Sequence, residues 1–409
     1  MKIKDCAIKY SRKDIWLHPT AGGYRVRMDP KAVETLRSML ARTDPHEMTE
    51  NEGFIYRKLK AQGIISADTG REKDRVPAVK TKSSLDSIEL EFSGVCNLKC
   101  AHCFSSLSGK NMDEKTLDKV FQGLDELEPV NLVISGGEPL MNPLLPRAIE
   151  GARKRDMRVS LMTNAVLVTR ETAAMFKSLS VAKVMVSLDF FEDTHDAIRG
   201  AGAFGKAVAG IKRVVAEKVP VFVTAMVQGK TAGRIDDFKK FCLSELGASG
   251  VRFSAVMPIG RGKESSEELG IPDMLLKRLF RKGALEDMDA GSDAFARLST
   301  GGYFNCNAGV GQCFVSADGN VYACHYFQNL GEPMGLLAEM SLAEIYKNNP
   351  AVAVASGFDW NGLKECRACP AFAVCKGGCR ARAKILAGGW FRPDPFSCRI
   401  YNTGFSLLG

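Results

Sequence analysis

No stretch of this 409-residue chain approaches 18 consecutive apolar residues, which speaks against a membrane-spanning helix. The opening residues, MKIKDCAIKY, lack the apolar run of a secretion signal, so a cytoplasmic setting is expected. Tandem basic blocks are also missing, although Lys and Arg outnumber Asp and Glu by 56 to 47. The basic positions form no stripe and aromatics are not interleaved with them, which argues against a nucleic-acid partner. A scattered positive excess instead suits an anionic cofactor or an acidic peptide. The missing secretion signal also bears on the 13 cysteines: disulfides are rare outside oxidising compartments, so that many thiols point to metal. What is abundant is core-forming material, 45% hydrophobic against 25% charged, enough for two or three domains.

The chemistry concentrates in Glu91 to Phe104, EFSGVCNLKCAHCF, where Cys96, Cys100 and Cys103 stand at Cys-x3-Cys-x2-Cys spacing. Three thiolates can hold three irons of a 4Fe-4S cube and leave the fourth open, where a small molecule can chelate and receive an electron. A structural zinc site needs a fourth ligand and usually draws on paired Cys-x2-Cys units. Ferredoxin runs differ too, because four cysteines saturate each cluster. Eight more cysteines lie between Cys306 and Cys398: Cys306, Cys313 and Cys324, then Cys366-x2-Cys369-x5-Cys375-x3-Cys379, then Cys398. Eight thiolates suffice for two fully ligated 4Fe-4S clusters, with zinc as the competing ligand. Cys6 and Cys242 read as ordinary thiols.

Taken in order, residues 1–68 form a small domain. Asp14–His18 and Tyr24–Met28 are β-prone and joined by a Gly22-Gly23 turn; helices are expected from Pro30 to Met39 and from Thr49 to Lys60. Strands followed by short helices outline a winged-helix module. Residues 69–84 are polar and basic without periodicity and read as a linker. From 85 to 262 strands and helices alternate, with strands at Ile88–Phe92, Leu132–Ile134, Val159–Met162, Val184–Leu188, Val221–Val227 and Val251–Val256. That pattern is α/β with a parallel sheet. Residues 263–302 read as a charged bridge and 303–409 as a cysteine-rich domain.

The three-cysteine motif with Phe104 directly after it, followed in register by Gly136-Gly137-Glu138-Pro139 and the strand end VSLDF, resembles the radical S-adenosylmethionine enzymes. The resemblance runs from about Ser83 to Arg261 and implies a partial (β/α)6 barrel with its site at the C-terminal strand ends. In that family the open iron chelates S-adenosylmethionine, whose cleavage yields a 5'-deoxyadenosyl radical that abstracts a hydrogen atom from the substrate. It implies cofactor contacts from Phe104, Gly136, Gly137, Glu138, Pro139, Asn164, Ser187, Asp189, Arg199 and Met257; His195 reads as structural.

The C-terminal array resembles the auxiliary-cluster (SPASM) domain of peptide and sulfatase maturases. By position it implies one cluster on Cys306, Cys313, Cys324 and Cys379 and another on Cys366, Cys369, Cys375 and Cys398, three 4Fe-4S clusters in all. Residues 1–68 resemble the leader-peptide recognition domain of ribosomal-peptide modifying enzymes, where the leader adds a strand to a sheet edge. Together these imply a maturase of a ribosomally made peptide that forms an oxidative crosslink, carbon–carbon or thioether, fed by a flavodoxin- or ferredoxin-type donor. The alternative is an anaerobic sulfatase-maturating enzyme making formylglycine. That family has an aspartate base directly after the counterpart of Cys324, where this chain has His325, itself able to take a proton near neutral pH. A tetrapyrrole-modifying or decarboxylating relative is a third option.

Overall fold

The computed structural model of the protein describes residues 85–265, 269–276, 308–309, 311–348, 362–375 and 377–401. Ahead of these it describes 2–3, 6–10, 15–19, 26–28, 35, 38, 49–50, 52–53, 65–66 and 78–80. Strands β1 (Lys2–Ile3) and β5 (Ile65–Ser66) pair antiparallel. β2 (Cys6–Tyr10), β3 (Ile15–Pro19) and β4 (Val26–Met28) form an antiparallel meander, and β6 (Ala78–Lys80) lies parallel to β2. The expected strands at 14–18 and 24–28 are therefore β3 and β4. The stretch 69–84 is not purely a linker, because it supplies β6. Pairing there uses backbone groups, which leave no side-chain alternation to read. Of the two expected helices, Thr35, Ser38, Glu50, Glu52 and Gly53 are helical and Thr49 precedes the second helix; the other positions lie outside the described residues. Thr49 and Glu52 cap reciprocally, and the Ser38 hydroxyl donates to Glu52 at 2.8 Å, tying the two segments together.

Six parallel strands follow in sequence order: β7 (Ser87–Ser93), β8 (Asn131–Gly136), β9 (Arg158–Thr163), β10 (Lys183–Ser187), β11 (Val221–Val227) and β12 (Gly250–Ala255). Between them run α1 (Glu114–Leu127), α2 (Leu145–Arg153), α3 (Arg170–Ser178), α4 (Glu192–Arg199), α5 (Ala203–Ala216) and α6 (Ile235–Lys240). Alternation gives each strand two faces. Ile88, Leu90, Leu132, Ile134, Val159, Leu161, Val184, Val186, Val223 and Phe253 are buried with Leu117, Val120, Leu124, Ile149, Phe176, Ile211 and Phe238 of the helices. Each large aliphatic side chain so buried contributes about 2 kcal/mol. The other face carries Glu89, Ser160, Lys183, Ser187, Thr224 and Arg252 beside Val133, Met162, Met185, Phe222 and Met226, all half-buried or more exposed, so the barrel interior mixes polar and apolar side chains. Asp113 caps α1 by accepting from the Thr116 N–H at 2.7 Å.

The sheet does not stop at the barrel. β13 (Gln312–Val315) pairs in parallel with β7, and β14 (Asn320–Tyr322) and β15 (Gly335–Leu336) continue it antiparallel, making nine strands. The sheet therefore joins the two sides of the boundary expected near residue 302. Further along, buried Asp394 accepts from the Cys379 N–H at 2.8 Å, the Arg382 guanidinium at 2.6 Å and the Ser397 hydroxyl at 2.7 Å. One carboxylate thus gathers the turn bearing Cys379 and the helix Pro395–Tyr401 bearing Cys398.

Candidate active site at the strand ends

The loop after β7 is held against the loop after β8 by backbone contact. The Gly137 N–H donates to the Ser93 carbonyl at 2.7 Å and the Glu138 N–H to the Val95 carbonyl at 3.0 Å. A Cβ on Gly137 would lie 2.2 Å from the Val95 oxygen and 2.9 Å from the Cys96 Cβ, so only glycine permits this approach. Gly136 has φ +126°, a conformation that side-chain-bearing residues rarely adopt. Pro139 then starts a short 3-10 turn, Pro139–Met141.

Glu138 is fully buried. It accepts from the Thr163 hydroxyl at 2.7 Å, the Asn164 N–H at 2.8 Å and the Leu140 N–H at 3.2 Å. Burial raises its pKa despite these three donors. The Asn164 amide in turn donates to Asn97 at 2.8 Å, inside the cysteine loop. Glu138 and Asn164 are thus brought together beside Cys96. Thr163 and Asn97, which nothing in the sequence marked, complete the group. Ser187 ends β10 on the inner face.

Asp189 and Arg199 sit beneath the cysteine loop. Asp189 is fully buried and accepts from His102 Nε2 at 2.8 Å, Arg199 Nε at 2.7 Å and the Met226 N–H at 2.8 Å. Burial alone would raise its pKa, but the Arg199 guanidinium and His102 hold it far below the usual carboxylate range. Arg199 Nη1 reaches Cys100 Sγ at 3.6 Å. Both residues therefore support the cysteine loop from below. His102, between two of the cysteines, went unmarked in the sequence. His195 is structural as expected, its Nδ1 accepting the Asp189 N–H at 3.0 Å.

Segment 257–265 closes the loop from the far side. Arg261 Nε donates to the Cys100 carbonyl at 3.0 Å and the Ser265 hydroxyl to the Ala101 carbonyl at 3.1 Å, while Met257 packs against the main core. Burial raises the pKa of the Cys96 and Cys100 thiols, so they stay protonated until a metal displaces the proton. Three soft thiolates on one clamped loop, with a guanidinium donating to one of them, fit an iron-sulfur cluster.

Phe104 faces the C-terminal segment, its ring centroid 5.2 Å from that of His325 and 5.4 Å from that of Tyr326. His325 Nδ1 lies 3.1 Å from Glu89 Oε2 on the barrel's inner face. Burial acts to raise the Glu89 pKa, but His325 and the Ser135 hydroxyl prevail and hold it low. Glu91, two residues on, accepts from the Ser108 N–H at 3.0 Å, the Ala317 N–H at 3.0 Å and the Gln328 amide at 3.2 Å. A single buried carboxylate thereby ties the cysteine loop to the C-terminal segment.

In that segment a cavity is lined by Cys366, Cys369, Cys375 and Cys398, the four thiols implied to share one cluster. Burial pushes Cys375 and Cys398 up to about 11. Cys324 and Cys379 meet in a second small cluster with Ala323 and Ala381. Cys313, expected beside them, packs into the main core at the register of Ile88, and burial pushes its thiol up to about 12. Cys306 lies outside the described residues.

The radical SAM superfamily pattern matches residues 90–242, and an iron-sulfur cluster-binding domain pattern, SPASM, matches 306–370. The AdoMet-dependent heme synthase of Methanosarcina barkeri is 30% identical over 349 residues, 78% of this chain and 97% of that protein. Mycofactocin maturase MftC of Mycobacterium ulcerans is 29% identical over 314 residues, 73% of this chain and 83% of that protein. Streptococcus suis SuiB, solved with its precursor peptide SuiA, shares the fold with TM-score 0.67 at 14% identity, over 97% of this chain and 99% of that one. With the cysteine loop, the clamped glycines and these matches in agreement, the chain belongs to the radical SAM superfamily, as an enzyme with a C-terminal SPASM iron-sulfur domain.

Proposed function

We propose that the protein is a maturase of a ribosomally synthesised peptide, taking a hydrogen atom from an unactivated peptide carbon and forming an oxidative intrapeptide crosslink, carbon–carbon or thioether. One observation carries this reading against its main competitor. The likeness to SuiB, whose structure holds a precursor peptide, spans 97% of this chain. The heme synthase alignment uses 97% of that protein but leaves about a fifth of this chain without a counterpart. The superfamily match begins at residue 90, so the sheet of β2, β3, β4 and β6 lies ahead of it. Among the described residues β4 and β6 are its edges, and an edge is where an extended leader adds as a strand.

In this reading Cys96, Cys100 and Cys103 hold the cluster that binds S-adenosylmethionine, with Phe104, Gly136, Gly137, Glu138, Pro139, Asn164, Ser187, Asp189, Arg199 and Met257 around the cofactor. Cys306, Cys313, Cys324 and Cys379, and Cys366, Cys369, Cys375 and Cys398, hold two auxiliary clusters, and a flavodoxin- or ferredoxin-type protein delivers electrons. When bound, these groups supply the electron that cleaves S-adenosylmethionine, the hydrogen-abstracting radical and an acceptor for the second electron. The chain's own residues clamp the loops, enclose the chamber and move a proton. Closing a bond from the substrate radical to a second carbon or sulfur releases one electron and one proton. His325 takes that proton at Nε2, its Nδ1 being engaged by Glu89.

A tetrapyrrole-modifying activity is the second reading, favoured by the heme synthase's 30% identity. The two separate in one assay. The anaerobically reconstituted, reduced enzyme is given S-adenosylmethionine with peptides encoded beside its gene, or with iron coproporphyrin III. Loss of two hydrogens from a peptide, dependent on its leader, is the expected result. Conversion of the tetrapyrrole with every peptide unchanged overturns the proposal.

A further inference from the structure

The open face of the barrel sheet has one rung that is apolar across three adjacent strands. Met162 of β9 pairs with Met185 of β10, and Met185 with Phe222 of β11, so the three side chains lie side by side on that face. At the usual strand spacing they cover about 10 Å. Gly250 of β12, the partner of Phe222, extends the rung. A Cβ there would lie 2.9 Å from the Phe222 ring, so the ring takes the space a side chain would fill. Met162 is 37% exposed, and Met185 and Phe222 are half-buried, although β9, β10 and β11 are interior strands of the sheet. Parallel strands are ordinarily covered on both faces. Here the helices cover the other face, and the chain leaves this strip of large apolar side chains incompletely covered.

The rung sits where a substrate has to pass. Ser187 stands two residues above Met185, at the end of β10, and Met162 directly precedes Thr163, whose hydroxyl donates to Glu138. Two residues below Met162, Ser160 pairs with Val133, and Val133 with Glu89, which engages His325. The rung therefore lies between the level of the cofactor residues and that of the proton acceptor. Polar groups bound it, Ser160 and Lys183 below and Ser187 and Thr224 above, with the Lys183 ammonium 5.7 Å from the centroid of the Phe222 ring. Thioethers and a ring offer a charged or hydrogen-bonding group no partner, whereas an apolar group gains by burial. Thioethers also adapt their shape and make favourable contacts with rings.

We infer that Met162, Met185 and Phe222 seat a large apolar side chain of the substrate peptide and thereby help select the carbon that loses its hydrogen. This assignment rests on the peptide-maturase reading and deepens it, because it names a residue type the peptide must carry. Met185 is two residues below Ser187, about 7 Å at the rise of a strand. An extended peptide covers that distance in about two residues. The seated side chain therefore belongs to the modified residue itself or to one within about two positions of it.

The test uses full-length, cluster-reconstituted enzyme with the whole precursor peptide. Met162→Ala and Met185→Ala are compared with wild type and with Met274→Ala, a control at a methionine that is 85% exposed beyond β12 in the chain. Met162→Gln keeps the side chain's length and removes its apolar character, and serves if a truncation fails to fold. In the peptide, each large apolar residue near the modified carbon is changed to Ala in turn. KM and kcat for crosslink formation are measured for every pairing, with the iron content and thermal stability of each enzyme. With wild type, one Ala peptide should raise KM about ten- to a hundredfold, the worth of one buried apolar side chain. Either barrel variant should raise KM for the unaltered peptide about tenfold, yet add little with that Ala peptide, because the contact is already lost. Met274→Ala should change nothing. Unchanged KM, or losses that multiply, overturns the inference. So does a barrel variant that loses stability at unchanged KM, since the chain's own residues would then cover the rung. If iron coproporphyrin III is converted and no peptide is, the maturase reading fails and this assignment with it. If a peptide is converted without dependence on the two methionines, only this assignment fails.

Discussion

Asp189 shows how much one buried side chain can organise. It takes Nε2 of His102 from the cysteine loop, Nε of Arg199 from α4 and a backbone N–H from β11, and its own N–H goes to His195. That last bond requires an unprotonated Nδ1, and burial holds the His195 pKa down to about 4 against an ordinary 6.5. The unfolded chain takes up this proton below about 6.5, whereas the folded chain resists it until about 4. Stability is therefore complete above that window and falls by about 3 kcal/mol as pH drops through it. Asp189 adds to the slope only at the acid end, below about pH 5, where the unfolded carboxylate begins to take up a proton that the folded one refuses. Denaturant titrations between neutral pH and pH ~4.5 should show the decline, and His195→Asn should flatten it. His325 makes a different prediction. Its replacement by Gln should slow peptide product by about a hundredfold or more, the usual worth of a general base, while 5'-deoxyadenosine still forms. Chromatography with mass detection of both products reads the split; equal loss of both would assign His325 to cofactor binding instead.

Among elements, the strands of the barrel were the most legible. Their expected limits fall within two residues of β7 to β12, because runs such as VFVTAMV alternate between a buried and a half-buried face. α4 was not legible: its sequence, EDTHDAIR, is half charged and gives no apolar stripe, and its hold on the fold comes from His195, Ile198 and Arg199. β2 and β6 escaped because parallel and edge pairing need backbone more than pattern. Cysteine spacing exposed the cluster loop directly, yet the supports around it, His102, Glu89, Glu91, Asn97 and Thr163, are ordinary polar residues whose meaning comes from contacts across 25 to 237 residues of chain. One tight contact between loops, Gly137 against Val95, yields a prediction of its own. Gly137→Ala must push the cysteine loop outward, since the opposing atom is backbone, at a cost of about 1–3 kcal/mol. Iron retained at the first cluster and S-adenosylmethionine affinity should both fall, as measured by iron analysis and calorimetry, with the auxiliary sites unaffected.

Across the whole molecule, β13 makes the C-terminal segment part of the barrel sheet. Val315, Val321, Leu337, Leu342 and Ile345 share the core of Leu117 and Leu124. A chain truncated before Tyr303 would leave the edge of β7 unpaired and this apolar surface bare, a template for association. Size-exclusion chromatography should find it aggregated; a monodisperse truncated chain would refute the shared core. The same continuity is reinforced by Glu89–His325 and Glu91–Gln328, which join the barrel to the C-terminal segment. The most direct test is label transfer. The precursor peptide is made with deuterium on its candidate carbons and turned over once with S-adenosylmethionine. The expected result is deuterium in 5'-deoxyadenosine and a peptide that has lost two hydrogens. Unlabelled 5'-deoxyadenosine with an intact peptide, while iron coproporphyrin III is consumed under the same conditions, would contradict it.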